Sequence, residues 1–419
     1  MKKYLMIVII LIGLSTIPLL SQSNHWQTVS SEDQCIICHQ EMELLPEQFS
    51  EADIHLQIGL SCAGCHGGDP TTDDMQIGMS SLKGFVGVPG KKDIPQFCGK
   101  CHSNIEKMRV FRPRIATDQV SQYYKSVHGI MLKKGNNNVA DCISCHTAHS
   151  IFPAKDPRST VYAMNVSETC NICHGDKELI DDYGLSGNEL EEYTLGVHGI
   201  ALFENKDASA PTCNDCHGNH GATPPGLTSI SHVCGTCHIN NAEYFNSTRM
   251  AGAFKEMDFH GCEQCHSHHL IEKTNDEMIG VGEKSLCIDC HEEGDEGYVF
   301  AVEIKSNLDD MVAHYDSAQT KLREVETKGM NEIDIDFLLM EAKQDLIQSR
   351  TLVHTFDSAK VNTKTTEGLA KTKKAILLAD KEIEEYFSRR NGFAVATLIF
   401  MIFIIALYFK LKDISKNRS

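Results

Sequence analysis

The sequence predicts a mainly α-helical chain with extensive loops: a motif-rich domain with little or no β-sheet, then a helical hairpin or three-helix stalk, then one C-terminal transmembrane helix. Three observations carry this. All eighteen cysteines lie between Cys35 and Cys290 in copies of one short motif. Residues 298–390 hold no cysteine and no proline, and their apolar residues recur at the 3-4 spacing of a helix. Residues 392–409 are uncharged over eighteen positions, about the minimum that spans a bilayer.

At the amino terminus, Met1, Lys2 and Lys3 precede the apolar run YLMIVIILIGL and then STIPLLSQS. These are the n-region, h-region and small-residue ending of a secretory signal, with cleavage expected just after Ser23. An uncleaved anchor fits less well, because the run is short for a span and Pro18 breaks it. With 419 residues and 41% apolar composition, the chain can bury a sizeable core. Its formal charge of -18 argues against nucleic acid, whose phosphates need basic patches. A basic redox partner stays open. The expected boundaries are signal peptide 1–23, motif domain 24–297, stalk 298–391, span 392–409 and basic tail 410–419.

The cysteines form nine C-x-x-C-H motifs with none left over: Cys35/Cys38/His39, Cys62/Cys65/His66, Cys98/Cys101/His102, Cys142/Cys145/His146, Cys170/Cys173/His174, Cys213/Cys216/His217, Cys234/Cys237/His238, Cys262/Cys265/His266 and Cys287/Cys290/His291. A disulfide framework, a thiol redox pair or a zinc site would each use C-x-x-C, but none needs histidine next in all nine. Covalent c-type haem does. Two thiols at this spacing form thioethers to one edge of the macrocycle, and the adjacent imidazole becomes the proximal iron ligand. The expected cofactors are nine haem c groups, whose attachment outside the cytoplasm agrees with an exported chain.

Twelve of the twenty-one histidines lie outside the motifs, and a second axial histidine per iron would use nine. YYKSVHGIML around His128 recurs as YTLGVHGIAL around His198. Each is followed by a motif extended to CHxxH, giving His149 and His220, and then by a further CxxCH. This is an internal repeat whose unit is a pair of haems. A compressed copy holds His260, His268 and His269, and a degenerate one begins at His55. The distal ligands expected are His55, His128, His149, His198, His220, His260 and His269, with His232 and His268 as further candidates. Histidine on both faces of an iron gives low-spin, six-coordinate haem of comparatively low potential.

The paired CxxCH motifs, the SVHG stretch upstream and the CHxxH extension resemble the multihaem class III and doubled-CxxCH families of bacterial c-type cytochromes, over roughly residues 30 to 295. The resemblance implies bis-histidine haems packed in alternating stacked and perpendicular pairs, and a part in respiratory electron transfer. Packing agrees. From Cys35 to His291 there are about 29 residues per motif, and a compact body of that length has a radius of gyration of about 18 Å. Nine macrocycles in that volume must come close to contact, carried on short helices joined by loops rich in Gly and Pro.

The stalk is predicted from two apolar stripes. Leu308, Met311, Val312, Tyr315, Ala318, Leu322 and Val325 form one, and Ile335, Leu338, Leu339, Ala342, Leu346, Val353 and Phe356 the other. A third helix is expected from about Thr366, with turns at Gly329 and Gly368. His314 and His354 lie off the stripes and are expected at the surface. The sharper alternative turns His354 toward a haem. After the stalk, Arg389 and Arg390 precede the span and four basic residues follow it, placing the tail in the cytoplasm and the bulk of the chain outside the inner membrane.

The function expected is electron transfer by a membrane-anchored nonahaem cytochrome between a quinol-linked membrane donor and periplasmic or extracellular acceptors. The partners are a quinol-oxidising membrane subunit or another membrane redox donor, periplasmic or outer-membrane redox proteins, and the bilayer through the C-terminal helix, with self-association open. The competing class is a multihaem reductase or oxidase of small nitrogen or sulfur compounds, which needs one open iron. No CxxCK occurs, so that class would rest on a missing sixth ligand, with the Cys35 and Cys98 haems poorest in nearby candidates and His25 able to serve the first.

Overall fold

A computed structural model describes residues 33–227 and 229–416. The predicted signal peptide, His25 and the last three tail residues lie outside the described residues. Among those described there are helices, turns and loops and no strand, as the composition of the motif region requires. The described residues divide into two compact units: the first holds 33–194 together with 198–226, the second 195–197, Leu227 and 229–416. The first six motifs fall in the first unit, and the last three share the second with the long helices.

In the first unit each motif sits on a short helix. Residues Gln34–Glu41, Ile94–His102 and Val166–His174 carry the first, third and fifth motifs at or near their ends. The second, fourth and sixth occupy five-residue helices, Cys62–His66, Cys142–His146 and Cys213–His217. These start on local caps: Asp141 and Ser144 form a reciprocal capping box, as do Thr212 and Asp215. They stop directly after the histidine, at Gly67, Thr147 and Gly218, with φ of +71°, +64° and +77°. One apolar cluster, Tyr123, Leu132 and Val139 with Tyr124 and Met131 against it, supports the first VHG segment.

In the second unit the 3-10 helices Ile230–Thr236 and Cys287–Asp289 and the helix Glu263–His266 carry the last motifs. Three long helices follow: Glu296–Thr327, Ile333–Leu352 and Ser358–Lys416. The predicted stripes form their mutual core except for Phe356, which lies in the turn after the second helix and packs on Phe245. Leu308, Met311 and Leu346 pack with Ile304 and Val361, while Ala318, Val325, Ile335, Leu338 and Leu339 pack with Ala375 and Ala379. Burying one side chain of the size of Leu308 or Met311 contributes about 2 kcal/mol. The turn at Gly329 is as expected, with φ +64°.

Two expectations about the stalk need correction. The third helix starts at Ser358, not near Thr366, and Gly368 lies buried inside it. Gly368 is a close-approach position: a Cβ there would meet Met311 Cε at 2.0 Å. The real second turn is Val353–Thr355 and Phe356, whose φ is +48°. The third helix then runs without a break through the apolar segment. It is the one described helix long and apolar enough to cross a membrane, and the apolar window is not buried.

Candidate functional site

The two VHG copies are built alike. His128 and His198 lie on the first turns of Val127–Lys133 and Val197–Phe203. In the first copy Ser126 caps that turn by accepting from the Gly129 amide at 3.1 Å. Tyr123 and Tyr193 each donate a phenolic hydroxyl at 2.8 Å to a carbonyl just before the next motif, that of Ala140 and of Pro211. The glycine after each histidine is a steric necessity: a Cβ at Gly129 would lie 2.0 Å from the Tyr123 oxygen, and one at Gly199 2.1 Å from that of Tyr193.

Five motif histidines each face one histidine from elsewhere. His55 and His102 have ring centroids 6.1 Å apart, His66 and His149 6.2 Å, His128 and His174 6.2 Å, His146 and His220 6.1 Å, and His266 and His354 6.2 Å. The angles between ring planes run from 17° to 87°. Rings in direct contact would change spacing with angle; these hold one spacing whatever the angle. Two imidazoles that approach one metal from opposite sides, each nitrogen about 2 Å from it, have centroids about 6 Å apart. The residues therefore fit a haem iron held between each pair.

The second ring nitrogen is used as well. His66 Nδ1 donates to the Gly87 carbonyl at 2.8 Å, His354 Nδ1 to that of Thr351 at 3.0 Å, and His55 Nδ1 to the Asp53 carboxylate at 3.2 Å. Such bonds leave Nε2 bare toward the paired ring and fix its orientation. Burial holds His146 neutral down to about 4, helped by His220 and His102. Burial likewise lowers His102, His149, His220, His266 and His354. Neutral imidazole is the form that ligates a metal.

The pairing follows a rule that spacing alone does not disclose. Histidines of CHxxH face the motif two places back: His149 reaches His66 and His220 reaches His146. Histidines upstream of a motif face the next motif on: His55 reaches His102 and His128 reaches His174. A residue of positive φ follows the histidine of the second, fourth and sixth motifs, Gly67, Thr147 and Gly218, and Ser267, with φ +63°, holds that place in the eighth. It ends the short helix and reverses the chain before the last histidine of CHxxH. At Thr147 and Ser267 no glycine marks that reversal in the sequence.

The motif sulfurs also stand in sequence order. Cys98 and Cys142, Cys170 and Cys213, and Cys234 and Cys262 are thiol pairs in hydrogen-bond contact. Cys65 is pushed up to about 11 by burial and then by Cys101 and Cys98, and Cys265 to about 11 by burial and then by Cys287 and Cys290. Cys35 is pushed up to about 12 by burial, by Asp33 and, more weakly, by Cys62. Burial also raises Cys145, with Asp141 and Cys173 beside it. Within each unit, consecutive motifs are neighbours.

Four further haem-binding groups expected from the motifs have these surroundings. Cys38 Sγ lies 3.7 Å from the Met42 sulfur, one turn on along its own helix. Cys216 is half-buried near Tyr193, whose hydroxyl is pushed up by burial and then by Cys213 and Cys216. Cys237 is exposed, and its sulfur accepts from the Thr236 hydroxyl at 3.9 Å. His238 is exposed too, because the seventh motif ends its 3-10 turn before the histidine, which instead precedes the helix Ile239–Asn246. It stands close enough to His266 and His354 to help lower both. The sequence treats all nine motifs as equal, whereas the seventh presents its second sulfur and its histidine at the surface.

The other expected ligands lie as follows. His198 is half-buried on its helix, and the His269 ring lies 4.8 Å from that of His268. His232 is exposed, and His260 is exposed with Nδ1 3.2 Å from Glu263. His314 is a helix-surface residue bonded to the Asp310 carbonyl, as expected. His354 is not at the surface: it is half-buried in the turn between two long helices. His39 and His291 face no other histidine ring among the described residues; His291 bonds Asp295 at 3.2 Å instead.

Two family profiles match the chain: cytochrome c3 over residues 54–175, and cytochrome c554 and c-prime over residues 233–311. The first spans the second to fifth motifs with four of the five ring pairs starting inside it, and the second spans the last three motifs and the start of the first long helix. No curated protein and no solved structure matches at a significant level.

Proposed function

We propose that this chain is a membrane-anchored nonahaem c-type cytochrome that carries electrons; its matches to the cytochrome c3 profile and to the cytochrome c554 and c-prime profile support a multihaem cytochrome with covalently bound haem c. Bound haem supplies a one-electron ferric–ferrous couple. The protein's part is to fix both axial imidazoles, shield them from water and bring successive motifs close. The observation that carries this reading is the set of five histidine pairs at 6.1–6.2 Å. An iron with histidine on both faces has no site for substrate, so it can pass electrons but not bind a small oxyanion. Support for nine groups is that every cysteine is consumed by a motif.

The apolar segment of the Ser358–Lys416 helix is the anchor, with Arg389 and Arg390 before it and a basic tail after it. These flanks support a reading in which the exported haem units lie outside the cytoplasmic membrane, with a quinol-oxidising membrane subunit as donor and periplasmic or outer-membrane redox proteins as acceptors. The acidic balance selects acceptors with a basic face.

A second reading rests on His39, which faces no other histidine ring among the described residues. If its iron keeps an open position, the chain is a reductase or oxidase at that haem. Low-temperature EPR of the air-oxidised, full-length protein, with haem content measured in parallel, separates the two. Nine haems per chain, all low-spin, are expected for the carrier. A stoichiometric high-spin component that binds carbon monoxide on reduction moves the assignment to the enzyme.

A further inference from the structure

We propose that His354, in the turn between the second and third long helices, is the sixth ligand of the iron attached at Cys262 and Cys265. This rests on the haem reading above and extends it to a residue outside the motif region. The ring of His354 stands 6.2 Å from that of His266, the same spacing as the four pairs of the first unit. Its Nδ1 donates to the Thr351 carbonyl at 3.0 Å, leaving Nε2 for a metal.

The pairing rule explains why the ligand comes from there. In the first unit, the histidines of the second and fourth motifs face the CHxxH histidine two motifs on. The eighth motif has no such successor, because the chain holds nine. An array of repeats needs an atypical element to close its last member, and the turn supplies it. His260 is exposed, and His354 is the histidine whose ring stands at the pair spacing from His266.

The turn is also clamped where a ligand needs support. Phe356 sets its ring edge-on to Phe245 at 6.3 Å, and Phe245 meets Phe254 at 5.6 Å. Arg350 makes two hydrogen bonds to Asp276, at 2.8 and 2.6 Å, tying the end of the second helix to the loop between the eighth and ninth motifs. The stalk thus holds the haem region through an iron bond as well as through packing, and its folding is coupled to that haem's spin state and potential.

The test uses the full-length holoprotein. His354→Ala is expected to convert one haem per chain from low-spin to high-spin in the ferric EPR spectrum, with free imidazole restoring the low-spin signal. His314→Ala should match the parent. A His354→Ala spectrum identical to the parent, at unchanged haem content, overturns the proposal. If His354→Ala does not accumulate, His354→Met keeps a ligand and should raise the potential of one haem; an unchanged redox titration overturns the proposal equally. A parent with fewer than nine haems would instead count against the nonahaem reading.

Discussion

Asp53 does three things for one axial histidine. It caps the Ile54–Gln57 helix by accepting from the His55 amide at 2.8 Å, takes the His55 Nδ1 proton at 3.2 Å, and accepts from the Ile151 amide at 2.7 Å. Burial alone would push its carboxyl up, but the bonds from His55 and Ile151 outweigh that and hold it below the usual carboxylate value. A group held low in the folded state gives stability that is fully present above its ordinary value and is lost as pH falls through the lowered one. Asp53→Asn should therefore cost about 1–2 kcal/mol at neutral pH. In denaturant unfolding the gap to the parent should close in acid; a gap independent of pH refutes the assignment. Glycine gives a paired comparison at the same scale. Gly129→Ala drives a Cβ onto fixed backbone and should cost about 2–4 kcal/mol, whereas Gly252→Ala, in a helix and facing open space, should gain about 0.5–1 kcal/mol in the same assay. At this scale the motifs themselves were legible because each lies within five consecutive residues. Which histidine faces which was not, because it turns on left-handed Thr147 and Ser267, whose residue types do not announce that conformation. Nor was the exposure of Cys237 and His238, since CGTCH reads like the other eight motifs and the placement of His238 between a 3-10 turn and the helix Ile239–Asn246 is not marked in it.

Among the elements, the long helices were the easiest to read. Leu308, Met311, Ala318 and Val325 fall on one face by spacing alone, and all are buried. The failure at Gly368 is instructive. A glycine at a helix end and a glycine at a helix crossing look alike in sequence, and only the position of Met311 tells them apart. The start at Ser358 was missed for a related reason: VNTKTTEG has poor helix propensity, and the segment is helical because Val361, Thr365 and Gly368 are buried. His354 escaped because a histidine off both stripes looks like surface until the turn that carries it is known. The short motif helices were legible in kind, but their alternation between helix-end motifs and five-residue helices became visible only through their caps.

At the scale of the whole molecule, the proposed anchor is separable from the packed stalk. The side chains that pack the stalk end at about Ile383 and Tyr386, so a chain truncated before Asn391 keeps its core. It should leave the membrane fraction with its haem spectrum unchanged, as fractionation and absorbance will check; retention by membranes would mean that another segment holds it. The division at Leu227 was not legible, because the haem-pair repeat carries on across it. One further property follows from the unbroken Ser358–Lys416 helix, about 90 Å long. A helix without a kink conserves azimuth as well as height, turning about 100° per residue. The side of the span that the proposed membrane subunit would grip and the side that holds Val361 and Thr372 against the other two helices are set at a fixed angle, as on a keyed shaft. On that proposal a redox partner embedded in the bilayer would meet the stalk in one orientation, and a single inserted residue near Asn391 would turn the key out of its lock.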